Sequence, residues 1–324
     1  MASKADKKQT LVEILNKNGI VIGFAIIFIL LSIFAPNFLS ADNMMNILKQ
    51  VSCIGIATIG VGILIIMNNN DISIGSMFAL IGVTSGLAVS TGLGGFGLPP
   101  VAGYIAGIGM GVLFGAFNGI IVAKGRISAF IVTMGSQYSC RGLALIFAHG
   151  MPVGSFPDAF NYLGSESLFG VIPYTIIIYI IVIFVINFIM KKRPIGRYFY
   201  AVGGNEEAAK VAGINVDKVK IQAYLIEGAL LGLAGTLMAG RLKSPSPNLG
   251  TGYEMDAVAG CHLGGVGLHG GIGPGFNMVL GTMIIGVINN GMDLLGVSAF
   301  YKQVVKGSII VIAVLLDRKR SGRV

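Results

Sequence analysis

Strongly polar side chains interrupt the apolar runs of this sequence at two places, where they are able to hydrogen-bond a polar solute. The first is the run Asn-Asn-Asn-Asp at 68–71 with Ser73 close behind it, and the second is Glu254 with Asp256. Polar backbone at membrane depth survives only where protein or water surrounds it. By chemistry alone, the stretch 68–76 is equally an interior kink of a broken helix or a polar turn at the membrane surface.

Other polar residues lie singly inside apolar runs. Each costs free energy in lipid and is therefore expected to face the interior of a bundle, where an interhelical hydrogen bond is the simplest role for any one of them. As a set they outline a polar route. The candidate substrate pathway is formed by Asn68, Asn70, Asp71, Ser73, Asn118, Thr133, Gln137, Glu254, Asp256, Asn289 and Asn290. Arg141 and Glu227 are polar residues of the same kind.

No residue set in the sequence supports covalent chemistry. It contains no Gly-x-x-x-x-Gly-Lys-Ser/Thr loop for ATP, no nucleophile elbow and no His-Glu-x-x-His pair. The glycine-rich stretch 263–273 follows no predicted strand, so a phosphate cradle is not expected there. His262 and His269 beside Cys261 offer no compact ligand set for a metal. We therefore expect no catalytic residue, cofactor or metal in this chain.

The elements that position these residues are predicted to be membrane-spanning helices. Of 324 residues, 54% are hydrophobic and 11% charged, with a mean hydropathy of +0.82, which is far from the balance of a water-soluble domain. We predict an all-α polytopic transmembrane bundle of about 10 segments, some short or broken, in one membrane domain over 19–316 between tails at 1–18 and 317–324. The apolar segments lie at 19–35, 47–67, 72–91, 100–123, 127–148, 172–190, 219–239, 255–267, 275–291 and 303–316.

Basic residues predict the orientation of this bundle. The formal net charge is +9, but Lys and Arg cluster beside apolar runs rather than along one face, which indicates membrane topology and not a nucleic-acid partner. With an even number of spans, the positive-inside rule places both termini and the cluster at 191–220 in the cytoplasm. The assignment follows the majority of the basic residues. The exceptions, which fall on or near the other side, are Lys49, Arg241, Lys243 and Lys302.

Glycines recur every four residues in the fourth segment. A helix with this repeat has one face without side chains, so that a neighbouring backbone can approach closely. We predict a packing seam there, with a seam that also slides during a conformational change as the alternative. The repeat consists of Gly103, Gly107, Gly111, Gly115 and Gly119.

The segment 191–218 is a long polar insertion between two apolar runs. The chain is expected to reverse at Gly203–Gly204 and to form a short helix that begins after Asn205 and ends at Gly213. Carboxylates after the cap suit the positive helix terminus, and alanines give the helix a small-residue face that would fit closely into a groove. The residues concerned are Gly203, Gly204, Asn205, Glu206, Ala208, Ala209 and Gly213, with Ala212 on the same face. An ordinary solvated connector is the alternative.

This segment resembles part of a known family. The residues Gly196-Arg197, Tyr200 to Asn205, Ala208-Ala209 and Gly213-Ile214 resemble the cytoplasmic coupling loop of membrane permeases in ribose- and galactose-type ABC importers. The stretch 71–76 is similar to that family's Asp-Leu-Ser-Val-Gly-Ser, which favours the interior kink. The resemblance covers nearly the whole chain from Pro36 onward, while His262 and His269 differ from the family's usual residues.

The resemblance implies a permease subunit of an ATP-driven importer that carries a simple sugar of the ribose or galactose kind across the bacterial inner membrane. It also implies a homodimer, a separate ATPase that holds ATP and Mg²⁺ and receives the short helix in a cleft, and a sugar-binding protein on the outer face. Two alternatives remain. An ion-coupled secondary transporter would have Asp71 and Glu227 as the only obvious seeds of an ion site, and a pore or structural membrane protein would need no coupling loop.

Overall fold

The computed structural model describes residues 21–92, 94–267, 270–273 and 277–320. The predicted tail 1–18, residues 321–324 of the other tail and His269 lie outside the described residues.

Helices dominate the described chain. In chain order the elements are α1 (Val21–Phe34), α2 (Ala41–Ile66), α3 (Ile74–Val89), α4 (Pro100–Gly125), α5 (Ala129–Phe147), α6 (Asp158–Ser165), β1 (Ser167–Leu168), β2 (Ile172–Pro173), α7 (Tyr174–Lys192), α8 (Pro194–Gly204), α9 (Glu206–Val211), α10 (Val216–Leu242), α11 (Tyr253–Leu263), α12 (Asn277–Leu294) and α13 (Ala299–Arg320). All helices except α6, α8 and α9 follow the ten predicted apolar segments. The predicted all-α bundle is therefore confirmed, with one small antiparallel hairpin, β1–β2, added to it.

Four helices of the described chain, α2, α4, α7 and α10, are long and apolar enough to cross a bilayer. They differ in how deeply they are buried within this chain. In the most apolar window of each helix, 89% of α2 is buried but only 28% of α7. Apolar side chains that are exposed on a spanning helix must meet lipid or another subunit. Helix α2 is therefore the centre of the bundle, and α7 lies at its periphery.

The predicted glycine seam is the contact between α4 and α10. Its members at 103, 107, 111, 115 and 119 are all buried. At Gly111 an added Cβ would collide with the backbone of Gly228 and Gly232 on α10, and at Gly115 with the backbone of Tyr224. Gly228 and Gly232 are themselves four residues apart, so both helices present a face of small residues to the other. The packing prediction is confirmed.

Helices α3 and α11 are short, and both begin inside the bundle at the two predicted breaks. Seven non-helical residues, 67–73, separate α2 from α3, and ten, 243–252, separate α10 from α11. The two helix starts touch, because a Cβ at Gly75 would collide with the carbonyl oxygen of Gly250 and the carboxylate of Glu254. Irregular backbone is thus surrounded by protein, as its polar groups require.

Candidate functional site

The predicted coupling segment folds as two short helices, α8 and α9, between α7 and α10. Asn205 caps α9 by accepting a hydrogen bond from the Ala208 backbone N–H at 2.9 Å, as predicted. Gly213 has a φ of +83°, which suits the residue after a helix end. The predicted reversal at Gly203–Gly204 is wrong, because both residues lie in the last turn of α8 and the chain turns at Asn205.

Gly203 instead fixes α8 to the end of α2. A Cβ at Gly203 would collide with the carbonyl group of Ile66 and with Met67. The glycine stretch also reaches this point, since the N–H of Gly271 donates to the Ile66 oxygen at 2.7 Å. Glycine is required here by close backbone approach and not by a turn. The end of α2, the end of α8 and the glycine stretch therefore meet at one end of the bundle.

The exposed face of α9 is not the one that the alanine pattern predicts. Ala209 is only 4% exposed and packs into the core of this chain, so its assignment to an outward small-residue face is wrong. Ala208 and Ala212 are exposed, and between them Val211 is 89% exposed. The reason is that α9 lies against the rest of the chain and buries the one residue that points inward. An apolar side chain on a small-residue surface remains available to a partner.

Ion pairs attach α9 to α10. Lys220 on α10 donates to Glu206 at 2.8 Å, and Lys210 lies 3.4 Å from the other oxygen of Glu206 and 2.8 Å from Glu207. Partial burial acts to raise the pKa of Glu206, but the hydrogen bonds and charges of Lys220 and Lys210 outweigh it and hold this pKa below its ordinary value. The hydrogen bond to Glu207 raises the pKa of Lys210.

A polar cavity of about 710 Å³ opens beside the coupling segment. Three parts of the chain meet around it: the turn between α2 and α3, the turn between α4 and α5, and α9 with the start of α10. Its polar and charged lining residues are Asn68, Asn69, Asn70, Arg126, Ser128, Glu206, Glu207, Lys210, Asp217 and Lys220. Two residues of the predicted pathway, Asn68 and Asn70, thus share one cavity with the coupling segment.

The α2–α3 turn leads from this cavity into the bundle. Asn68 and Asn70 are exposed, whereas Asp71 and Ser73 are fully buried. The hydroxyl of Thr133 lies 3.3 Å from the N–H of Ile72, which donates to it. The stretch 68–76 is therefore a polar turn at one end and an interior break at the other, so each of the two interpretations of the sequence describes part of it.

Buried polar side chains surround the inner end of this turn. Oδ1 of Asp71 accepts hydrogen bonds from the backbone N–H and the hydroxyl of Ser73, each at 2.6 Å. Asn118 on α4 lies beside Asp71 and accepts a short hydrogen bond from the hydroxyl of Ser136 on α5. Glu227 on α10 also reaches Asp71. The structure thus brings together four predicted pathway residues, Asp71, Ser73, Asn118 and Thr133.

Arg141 on α5 holds the irregular stretch before α11. Its guanidinium donates to the carbonyl oxygens of Pro247 at 2.6 Å and Leu249 at 3.0 Å. These bonds satisfy carbonyl oxygens in non-helical backbone, which have no helical hydrogen bond. Glu254, half-buried at the start of α11, lies close enough to Arg141 for their charges to interact. Glu254 therefore belongs to a second polar group, where α3 and α11 begin.

The remaining pathway residues form separate helix contacts. Asp256 on α11 accepts hydrogen bonds from Lys306 on α13 at 2.8 Å and from Asn289 on α12 at 3.0 Å. Asn290, the next residue on α12, exchanges hydrogen bonds with Asn43 on α2 at 2.8 and 3.0 Å. These side chains tie helices together, so the eleven candidate residues do not form one continuous line.

Of three further residues noted in the sequence, His262 and Cys261 form local hydrogen bonds, and the structure assigns no role to Gln137. The Nδ1 atom of His262 lies 3.0 Å from the Val266 carbonyl oxygen at the end of α11. The thiol of Cys261 is buried and donates to the Thr58 carbonyl oxygen at 3.4 Å. Gln137 is half-buried on α5. Within the described ranges, no three His, Cys, Asp or Glu side chains are grouped as metal ligands.

Sequence reasoning missed several residues that the structure places at these sites. Lys306 had a usable signal, because a lysine inside the last apolar segment must find a partner or reach water. Val211 and Arg126 had no such signal. Their positions depend on how α9 and the α4–α5 turn pack, which single-sequence periodicity does not determine.

Comparison with known proteins matches nearly the whole chain. A family model described as branched-chain amino acid transport system, permease component, matches residues 43–314. The ribose import permease protein RbsC of Escherichia coli (strain K12) is 38% identical over 304 residues, which cover 93% of each chain. RbsC of Bacillus subtilis (strain 168) is 38% identical over 310 residues, 95% of this chain and 94% of that protein. The L-arabinose transport system permease protein AraH of Escherichia coli (strain K12) is 35% identical over 306 residues, 94% and 92% of the two chains.

Proposed function

This chain belongs to the family of membrane permease components of ABC importers, and on that premise we propose that it translocates a simple sugar and takes its energy from a separate ATPase. The observation that carries the proposal is the shared cavity: Asn68 and Asn70 of the polar turn line the same space as Glu206 and Lys210 of the coupling segment. A motion of α9 therefore acts directly on the mouth of the polar route.

The chemistry of the route suits a neutral, hydroxyl-rich solute. Amide side chains both donate and accept hydrogen bonds, and several line or approach the route, namely Asn68, Asn70 and Asn118. The cavity lining carries both signs of charge, with Arg126, Lys210 and Lys220 set against Glu206, Glu207 and Asp217. Such a lining does not select a strongly charged solute. The ribose and arabinose named for the relatives are polyhydroxylated solutes of this class.

The partner that fits α9 is the ATPase. The helix is outside the membrane bundle, is attached to it by Glu206 and Lys220, and presents Val211 to its surroundings. A short helix with one protruding apolar residue and small neighbours suits a cleft of matching shape. In this proposal ATP and Mg²⁺ bind to the ATPase, and this chain supplies no catalytic residue, cofactor site or metal site.

The remaining features of the proposed assembly are a homodimer of this permease, a sugar-binding protein on the outer face, and a bilayer orientation with both termini in the cytoplasm. The basic segment 191–220, which contains α8, α9 and the start of α10, supports this orientation. The positive-inside rule places such a segment in the cytoplasm. The exposed apolar surface of α7 supports contact with lipid.

The docking of α9 can be tested by substituting Val211. Val211→Asp puts a charge where an apolar contact is expected, and its burial without a partner costs several kcal/mol, or more than about tenfold in affinity. Co-purification of the ATPase should fall while the yield of folded permease stays unchanged. Full retention of the ATPase would make the segment a plain connector.

Phe169→Asp is the matched control. Phe169 is 91% exposed in the β1–β2 turn, which lies near the far end of α10, where Gly164 of α6 packs against the backbone of Arg241. Both substitutions replace a highly exposed apolar residue by aspartate, at opposite ends of the bundle. Phe169→Asp should leave the ATPase bound.

Transport by the assembled complex tests the energy source. In proteoliposomes with the ATPase and the sugar-binding protein, uptake should require ATP hydrolysis and should not respond to a proton or sodium gradient. Uptake driven by a gradient without ATP would support the ion-coupled alternative, and sugar passage that needs neither would support a pore.

A further inference from the structure

Two carboxyl groups meet in the interior of the bundle. Asp71 on the α2–α3 turn and Glu227 on α10 are both fully buried, and each lies within hydrogen-bonding reach of the other. Neither forms a salt bridge with any basic side chain in the part of the chain that the structure describes. Glu227 is held in place, since a Cβ at Gly60 on α2 would lie 3.2 Å from its Cα and Cγ.

The two carboxyl groups differ in their hydrogen bonds. Oδ1 of Asp71 accepts two bonds from Ser73 at the N-terminal end of α3, where the helix dipole favours an anion. Oδ2 of Asp71 and both oxygens of Glu227 are buried and have no donor among the described residues. Two adjacent buried carboxylates without a cation would be very costly. One proton between them gives Oδ2 of Asp71 a donor and removes one of the two negative charges.

The other polar groups around the pair do not supply that donor. Tyr224 on the same helix as Glu227, Asn118 on α4 and Cys140 on α5 face the pair. The Tyr224 hydroxyl and the Asn118 amide nitrogen are buried, and neither has a hydrogen-bond partner in the described part of the chain. Neither group therefore gives Glu227 a donor.

We propose that Glu227 is a carboxylic acid in the resting protein and that its O–H donates to Oδ2 of the ionised Asp71, so that one proton and one negative charge are shared by the pair. The bond joins the α2–α3 turn to the middle of α10. Glu227 is therefore a positioning residue: it holds the inner end of the turn whose outer end, Asn68 to Asn70, lines the cavity.

This bond has a mechanical meaning that rests on the proposed function. Helix α10 begins at Val216, and four residues, 212–215, separate it from the coupling helix α9. A movement of α9 that tilts α10 would displace the α2–α3 turn through the hydrogen bond between Glu227 and Asp71. The cavity wall formed by Asn68 to Asn70 would move with the turn. The protonation state itself is tested without transport, so that its failure is separate from failure of the proposed function.

Infrared difference spectroscopy on the full-length permease in lipid nanodiscs tests the proposal. A protonated carboxyl has a C=O stretching band outside the amide envelope, and this band shifts in deuterium oxide. Wild type minus Glu227→Gln should show the loss of one such band. Glu206→Gln is the control, because Glu206 is ion-paired with Lys220 at 2.8 Å and should contribute no acid band.

Folding of the variants gives a second readout. Glutamine is neutral and retains a donor for Oδ2 of Asp71, so Glu227→Gln should be recovered with wild-type yield and an unchanged thermal midpoint. Glu227→Ala removes the donor and should lower the midpoint by several degrees. An unchanged acid band in Glu227→Gln, as expected if a sodium ion held two carboxylates, would overturn the proposal. Failure of Glu227→Gln to fold while wild type is stable would overturn it as well.

Discussion

Asp256 and Lys306 form an ion pair of 2.8 Å that joins α11 to α13 across 50 residues of sequence. The carboxyl side chain is almost completely buried, whereas the lysine remains partly exposed. Asn289 completes the group by donating to the same carboxyl oxygen. The sequence pattern placed Asp256 on the substrate pathway. In the structure its hydrogen bonds join three helices, α11, α12 and α13.

Removal of Asp256 alone should therefore destabilise the protein. Asp256→Ala leaves Lys306 without its partner and removes the acceptor of Asn289, and breaking a buried pair on one side typically costs about 3–5 kcal/mol. Partial exposure of Lys306 lets it reach water and places the expected loss at or below the low end of this range. Thermal unfolding in detergent measures the effect.

The double variant Asp256→Ala with Lys306→Met is the control, because no unpaired charge remains. It should regain part of the lost stability in a double-mutant cycle. If Asp256→Ala unfolds like wild type but transports more slowly, Asp256 acts on the route and not on helix packing.

The glycine seam predicts a strong difference between two glycines on one helix. Gly111→Leu would push into the backbone of Gly228 and Gly232 and should lower the yield of folded protein severely, because overpacking that moves a backbone costs about 1–3 kcal/mol or more. Gly109→Leu, on the same helix, meets nothing within 4 Å and should fold normally. Size-exclusion profiles of both variants provide the comparison. Equal behaviour would mean that the α4–α10 contact is not required.

The orientation of the bundle can be tested by cysteine labelling. The native thiols Cys53, Cys140 and Cys261 are buried and should not react in folded protein. A cysteine that replaces exposed Asn205 should react from the cytoplasmic side only, and one that replaces exposed Glu166, beside the β1–β2 hairpin, from the outer side only. Labelling of both from one side would contradict the alternation of helices between these two positions.

The attachment of α9 should depend on acid pH. Glu206 has a lowered pKa in the folded protein, so its ion pairs contribute fully above the ordinary glutamate pKa of about 4.3 and are lost as pH falls through the lower folded value. The protection of the α9 amides against hydrogen exchange should therefore not change with pH near neutrality and should be lost in acid. The Glu206 side chain is 40% exposed, so the contribution is small.

Glu206→Gln separates this effect from general acid unfolding. The variant should have weaker α9 protection at neutral pH and no further step in acid. An acid step of the same size in the variant would assign it to other carboxyl groups.

The sequence was sufficient for elements whose signal is local. Ten apolar segments predicted ten helices because a bilayer requires long apolar runs, and Asn205 predicted a cap because its side chain needs only the amide three residues ahead. The four-residue glycine repeat likewise reported one helix face. Each of these features depends on neighbours within a turn or a span.

The parts that failed depend on contacts between distant segments. The sequence pattern of α9 does not show which of its apolar residues faces the bundle. Only the packing of α9 against the rest of the chain buries Ala209 and leaves Val211 exposed. Gly203 resembles a turn residue, but the carbonyl of Ile66 decides its role. The partners of Asp256 and Asn290 lie 50 and 247 residues away. Composition and periodicity carry no information about contacts between residues this far apart in the sequence.

The last prediction concerns the mouth of the polar route. Asn70 is exposed and lines the cavity beside α9, so Asn70→Leu removes a hydrogen-bonding group from the lining without disturbing a buried side chain. ATP-dependent sugar uptake should fall, because a solute that loses water at the mouth must regain hydrogen bonds from the wall. Folded yield and ATPase co-purification should stay at wild-type levels.

Asn70→Gln is the matched control, since it keeps an amide at the same place. Its uptake should lie between wild type and Asn70→Leu, which separates polarity from side-chain volume because glutamine and leucine both enlarge the residue. Loss of the ATPase in Asn70→Leu would show that the turn serves docking. Equal uptake in all three proteins would remove Asn70 from the route.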